Sequence, residues 1–469
     1  MSNLKKILNR TRNGKFSQHD KDFLANFVAE NSSIAEMEIP QIKMLTKSLT
    51  DLIKEDKHCL SSHLQTVYVY HLEGINKLQA TPRLGQSNRR SLHSHLLSHN
   101  ADVCFELYNH DFDAFWLREG KSFATQSAEM NMDHDGNYAS RSLCRAAEIS
   151  HLLYRETGSL AEADEAYELG SKSISIRDRL GVRSFGPSTK LYKLAKEVFT
   201  DCINEEELTV DDKFTWGKRA FNSLKNLIDK RGIMNTSSSY KAVKSIMGKM
   251  RNVVFNAKVC TDKKFGLIQN IYTMEEEILE VLDDPLAIAD CHFRLAGLAQ
   301  DQLSLKNDIK IEQAIARHYD KSGEGYLQLG KRKSANKCFK NSVGIWMNLH
   351  DSNKNELILQ RCYVSQALLV ETTDNPKEKA LASYALGQVS YKLFKATKNL
   401  QYHSEGTTCL NNFLGYIKRH RKQIPREKIR NARSLLGLYH KNKRALILKK
   451  EKSRPDLEYS PLQLSDCEY

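Results

Sequence analysis

The chain has 469 residues, 71 Lys and Arg against 57 Asp and Glu, and a formal net charge of +14. Forty per cent hydrophobic and 27% charged residues exclude a disordered chain and describe a globular one. No apolar run nears the roughly 18 residues that a membrane span needs, and MSNLKKILNR lacks the apolar stretch of a secretion signal. A cytoplasmic location is therefore expected. The ten cysteines are scattered without a CxxC pair, so a disulfide framework or a zinc site is not expected.

In chain order the sequence reads as helix throughout, with about seventeen segments. Three are predicted within 17–80, as an N-terminal cap or bundle over 1–80. The turn-rich TPRLGQSNR (81–89) follows, then four helices over 90–180. GVRSFGPS (181–188) is the next break. Two helices lead to the polar NTSSS (235–239), and short turns then join helix to helix up to about 450. The predicted organisation is 1–80, helical repeats over 90–232 and 238–452, and a flexible acidic tail over 453–469. None of the eight prolines interrupts a helical pattern. Pro285 and Pro425 stand where a first helical turn accepts them.

Local motifs for chemistry are weak. In SLHSHLLSHN (91–100), His95 and His99 share a helical face with His93 nearby, but Leu96 stands where a zincin has Glu. NMDHDGNYASRS (131–142) has Asn131, Asp133, Asp135 and Gly136 in calcium-loop register. Its twelfth residue is Ser142, not a bidentate Glu, and its eighth is Tyr138. A capped polar turn is the better reading. Glu148-x-x-His151 and Glu55-x-x-His58 have di-iron spacing without the further carboxylates. EEEILEVLDD (275–284) reads as a solvated helix face. No phosphate-binding loop, nucleophile elbow or dinucleotide fingerprint occurs, and neither an enzyme activity nor a cofactor or metal is expected.

Repetition is more informative. Around Gly330, Gly323 and Tyr326 lie seven and four residues before; Ala335, Phe339 and Ser342 lie five, nine and twelve after. Around Gly158, Tyr154 lies four before, and Ala163, Tyr167 and Gly170 lie five, nine and twelve after; His151 departs from the pattern. A third stretch from 380 puts Ala385 and Gly387 on a packing face. The two Gly-centred stretches resemble the tetratricopeptide (TPR) repeat, a 34-residue helix pair. Their turns lie 172 residues apart, close to five such periods. A long helix over 309–329 would distort the unit before Gly323. The expected fold is all-α, an α-solenoid of antiparallel, TPR-like helix pairs.

The resemblance implies a non-enzymatic scaffold or adaptor whose inner helices line a concave groove for a partner peptide or helix. Carried onto the matching units, the groove candidates are Arg145, Glu148, Arg155, Arg317, Asp320, Glu324 and Gln328. Their mixed signs do not fit a clamp for a terminal carboxylate.

Charge supplies the alternative. Residues 418–454 hold 15 basic residues against two Glu, and residues 1–21 hold six against one acid. Ile429, Ala432, Leu436 and Tyr439 form the face that should dock on the preceding helices. Arg426, Arg430, Arg433, Lys443, Arg444, Lys449 and Lys450 are the anion-binding candidates. A nucleic-acid-associated regulator would use them, perhaps with 1–21, on phosphates or on another polyanion. With Tyr439 the only aromatic there, such contact would avoid base stacking.

Overall fold

The computed structural model describes all residues except 1, 12–14, 31–33, 35, 57–62, 81–85, 183, 232–236, 421–423 and 453–469. At 2, 86, 87, 231, 237–239 and 448–452 it describes the backbone only. The expected acidic tail, His58, most of the 81–89 linker, and the Lys449 and Lys450 side chains therefore lie outside the described residues.

Nineteen helices and no strand occur among the described residues, against the seventeen expected. The chain divides into two units, residues 1–233 with 242–253, and residues 234–241 with 254–469. The first contains α1 (Ser2–Arg10), α2 (Gln18–Ala29), α3 (Ile39–Glu55), α4 (Leu64–Ala80), α5 (Gln86–Asp111) and α6 (Ala114–Asn131). It continues with α7 (Gly136–Thr157), α8 (Leu160–Arg179), α9 (Phe185–Asn204), α10 (Val210–Arg231) and most of α11 (Ser237–Asn256). The second contains α12 (Thr261–Leu279), α13 (Pro285–Leu305), α14 (Ile309–Gln328), α15 (Arg332–Asn353), α16 (Glu356–Thr372), α17 (Pro376–Thr397), α18 (Leu400–Arg419) and α19 (Arg426–Lys452).

The turns explain the regularity. Asp113, Asp135, Asp284, Asp308, Asn355, Asn375 and Asn399 each accept a backbone N–H at a helix start. Each such cap contributes about 1 kcal/mol. Gly158, Lys354 and Lys398 take the left-handed conformation and are followed at once by the N-caps Ser159, Asn355 and Asn399. Two residues thus reverse the chain, and neighbouring helices pack antiparallel.

Within each unit a helix packs chiefly on its chain neighbours, while α5, α7 and α9 also touch in sequence. That is a TPR-like solenoid of helix pairs, and the signature residues play the expected roles. A Cβ at Gly323 would lie 2.8 Å from the Phe339 ring. Ala335 and Ala163 are wholly buried where paired helices cross. The long α14 does not distort its unit; it is the first helix of the pair that Gly330 closes.

The period differs from expectation. Ile309, Glu356 and Leu400 start alternate helices at steps of 47 and 44 residues, and Gln86, Gly136 and Phe185 at steps of 50 and 49. The helices are longer than a 34-residue pair allows. From α7 to α14 is seven helices, an odd number, so the Gly158 and Gly330 turns are not a whole number of pairs apart. The two signature tyrosines register this. The Tyr154 hydroxyl donates forward to Asp201 on α9, and that of Tyr326 donates back to Asp290 on α13.

The N-terminal helix was missed because Leu4, Ile7 and Leu8 are hidden among Lys5, Lys6 and Arg10. They are buried against Leu24, Val28 and Leu45, in a core shared with Val103 and Leu107 of α5. Arg10 pairs with Asp20, and Lys21 with Glu55 and Asp56, so part of the basic 1–21 segment is neutralised internally. Glu275 corrects the solvated reading of 275–284. It is wholly buried, paired with Arg294, and accepts from the Cys291 thiol.

Candidate functional site

An open concavity of the first unit is built on α7 and α9. One face of α7 carries Ala139, Leu143, Ala146, Ile149 and Leu153 into the core. The opposite face carries Cys144, Glu148, His151 and Arg155 at steps of four, three and four, one stripe of a helix. Opposite it, α9 buries Leu194, Ala195, Val198 and Phe199 and turns Lys190, Glu197 and Asp201 toward the groove. The space between holds about 660 Å³ and is open to solvent. Its floor is apolar: Phe105 of α5, Ala147 and Leu152 of α7, Ala166 and Gly170 of α8, Leu191 and Leu194 of α9. Gly170 lets the Leu191 side chain approach closely, since a Cβ there would lie 2.9 Å from its end.

The rim is charged, and its anions are already partnered. Arg155 grips Glu197 with two parallel bonds of 2.7 and 2.6 Å, which hold the Glu197 carboxyl below its ordinary range. His151 Nε2 lies 3.3 Å from Glu197, and burial pulls its pKa down more than Glu197 restores it. Glu148 is held by Lys190 and, at 3.2 Å, by Arg145. Asp201 accepts from the Tyr154 hydroxyl at 2.8 Å. Arg145 lies over the Phe105 ring and pairs with the half-buried Asp102, which Lys54 also reaches at 2.6 Å. Burial alone would raise the Asp102 pKa; the two cations outweigh it and hold it low. Lys193 and Lys196 are the exception. Both are exposed on the rim and form no ion pair among the described residues.

Of the sequence-predicted groove residues, Glu148 and Arg155 line this space and Arg145 braces its edge. The other four lie on α14 of the second unit. Arg317 is exposed and bonds Gln313; Glu324 and Gln328 are exposed. Asp320 is not free to meet a ligand. It accepts from Trp346 Nε1 at 2.8 Å and Ser365 Oγ at 2.6 Å, tying α14 to α15 and α16. Burial raises its pKa against the pull of those donors. The α9 lysines and the Leu191–Leu194 floor were not picked out, although K-L-Y-K-L-A-K (190–196) displays them at steps of three.

The other candidates resolve into structure. His99 and the wholly buried His71 lie with tilted ring centres 6.5 Å apart; His71 bonds Val67 O and Thr50, while the His95 ring lies tilted 4.5 Å from that of Tyr138. Asn131 donates to Ser127 O, Asp135 caps α7, and Ser142 lies buried in α7, which is the capped turn read from 131–142. On α19, Arg426, Arg430, Arg433, Lys443 and Arg444 are all exposed. Ala432 and Tyr439 are buried against α17 and α18, with Ile429 and Leu436 beside them, as expected of its apolar face.

No family model matches the sequence, and no curated protein matches it. Several solved helical proteins align over most of the chain. A circular tandem repeat protein shares 12% identity, over 96% of this chain and 90% of that one, with a TM-score of 0.19. A Rap protein complexed with Competence and Sporulation Factor shares 11%, over 86% and 99%, with a TM-score of 0.21. The S. pombe nuclear import adaptor Nro1 shares 10%, over 88% and 99%, with a TM-score of 0.19. At such scores these likenesses carry no inference about partners. No helix among the described residues is long and apolar enough to cross a membrane.

Proposed function

We propose that the protein is a non-enzymatic scaffold that holds a partner peptide or helix in the α7–α9 groove. The observation that carries this reading is an open, apolar-floored space on whose rim, among the described residues, only the cations Lys193 and Lys196 form no ion pair. An occupant gains by burying leucine-sized or aromatic anchors on Leu191, Leu194 and Phe105. Carboxylates beside those anchors would meet the two lysines, whereas basic side chains would have to displace internal pairs. The partner class is therefore an acidic amphipathic segment.

Peptides selected from a random display library on the immobilised full chain test this. Enrichment of acidic sequences with spaced apolar anchors, and an affinity loss of roughly tenfold or more on Lys193→Glu/Lys196→Glu, is the expected result. Selected peptides that bind the reversed variant equally well, or no enrichment at all, would overturn it.

A further inference from the structure

The exposed cations of α19 form a row along the helix. Arg426, Arg430, Arg433, Lys441 and Arg444, with Gly437 between, follow steps of four, three, four, four and three. Those steps keep them on one helical face, and five turns bring Arg444 back over Arg426. The row is about 27 Å long at 1.5 Å per residue. All five side chains are exposed, and none forms an ion pair among the described residues. Glu427, the one acid among the described side chains of α19, lies about 100° round the helix. Lys441 belongs to this row, whereas Lys443 lies toward α18, where its charge helps to depress the His403 pKa. The preceding α18 ends in exposed Lys418 and Arg419, so no acid at its end balances the row.

Three kinds of partner can be weighed against this surface. A membrane-lying helix needs its apolar face for lipid, and here that face is used: Ala432 and Tyr439 are wholly buried on α17 and α18. A protein partner needs anchors that fill a pocket. The row offers none, since Leu438 lies about 120° away and Ile447 lies past its end. A single strand needs aromatic platforms, but Tyr439 is buried with its hydroxyl on Gly387 O. What remains is a straight, regularly spaced array of mostly guanidinium groups, which matches a rigid array of phosphates. Gly437 adds to this. Nothing lies within 4 Å of a Cβ built there, so packing does not demand glycine, and the bare backbone leaves the middle of the row open to close approach.

We propose that α19 is a nucleic-acid docking edge, which lays Arg426, Arg430, Arg433, Lys441 and Arg444 along the phosphate backbone of a duplex without reading its sequence. Five phosphate contacts give a slope of log affinity against log salt of about −4.5, a loss of several hundredfold between roughly 50 and 200 mM salt.

The test titrates the full chain against labelled DNA and RNA duplexes of unrelated sequence, the matching single strand, poly-L-glutamate, and phosphatidylserine vesicles. Expected is duplex binding with that slope, indifferent to sequence, and the DNA and RNA arms show which backbone is preferred. Arg430→Glu/Arg433→Glu should abolish it. Gly437→Glu should weaken it about tenfold, while Gly437→Ala, which adds no charge, should leave it largely intact. Circular dichroism confirms that each variant is folded. Lys193→Glu/Lys196→Glu should bind duplex like the wild type, which keeps this edge separate from the groove. Absence of duplex binding, duplex binding unchanged by Arg430→Glu/Arg433→Glu, or tighter binding of poly-L-glutamate or vesicles than of duplex would each overturn the proposal.

Discussion

The groove on α7 and α9 and the row on α19 both hold several charges at helical spacing, yet they hold them in opposite ways. In the groove each carboxylate already has a donor: Glu197 has Arg155, Glu148 has Lys190 and Arg145, Asp201 has Tyr154. The rim is set before any ligand arrives, and the apolar floor is left to supply affinity. On α19 no such pairing occurs among the described residues, and no floor exists. One surface is suited to shape recognition at contact range, the other to attraction over roughly a Debye length, about 8–10 Å in physiological salt. A count of charged residues alone would not separate them; their partners do.

The contrast can be broken or sharpened by experiment. The largest effect is expected where partnering is most complete. Glu275→Ala leaves the half-buried Arg294 without its counter-charge and should lower stability by about 3 kcal/mol, read from the urea midpoint. Gly406→Ala comes next. A methyl there would collide with the Tyr439 hydroxyl, and overpacking of this kind costs about 1–3 kcal/mol. Protease cleavage within α19 should accelerate in the same variant.

Acid should act through His71 and His99. Burial pulls their pKa values down to about 4 and about 3, the latter with help from the charge of His71, although the nearby Asp102 opposes both shifts. Both rings are neutral in the folded chain, while the unfolded chain takes up protons below about pH 6.5. Stability is therefore lost as pH falls from 6.5 toward 4. A flat urea midpoint across that range would contradict their burial as neutral groups. His71→Asn should reduce the slope.

The smallest stability effects belong to the two proposed surfaces. Lys193→Glu/Lys196→Glu and Arg430→Glu/Arg433→Glu should each leave the urea midpoint within about 0.5 kcal/mol of wild type. Their salt responses should differ: peptide affinity for the groove changes less than tenfold where duplex affinity falls several hundredfold. Equal salt sensitivities would erase the distinction drawn above.

The legible parts of the sequence were those set by short separations. Gly323, Tyr326, Gly330, Ala335 and Phe339 lie within one helix pair, so their spacing alone announces the turn and the close crossing. The same holds for Gly158 and the face of α7, which put Glu148 and Arg155 on the groove side. What depended on a third helix was hidden. Asp320 looks like one more polar residue on α14; its donors, Trp346 and Ser365, come from the next two helices. The α9 lysines gain meaning only once α7 is known to face them. Glu275 sits among acids, and only Arg294, from α13, reveals it as buried. The period failed for a related reason: a match between two turns does not count the helices between them.

Tyr439 has a consequence beyond its own burial. An apolar stripe alone lets a terminal helix settle at several rotations about its axis, and each residue of slippage turns the outer face by about 100°. Here a phenol passes over the bare backbone of Gly406 and donates to the carbonyl of Gly387 at 2.8 Å. That contact admits one rotation. The compass bearing of every cation on α19 is thus fixed by two positions in the preceding helices that carry no side chain at all.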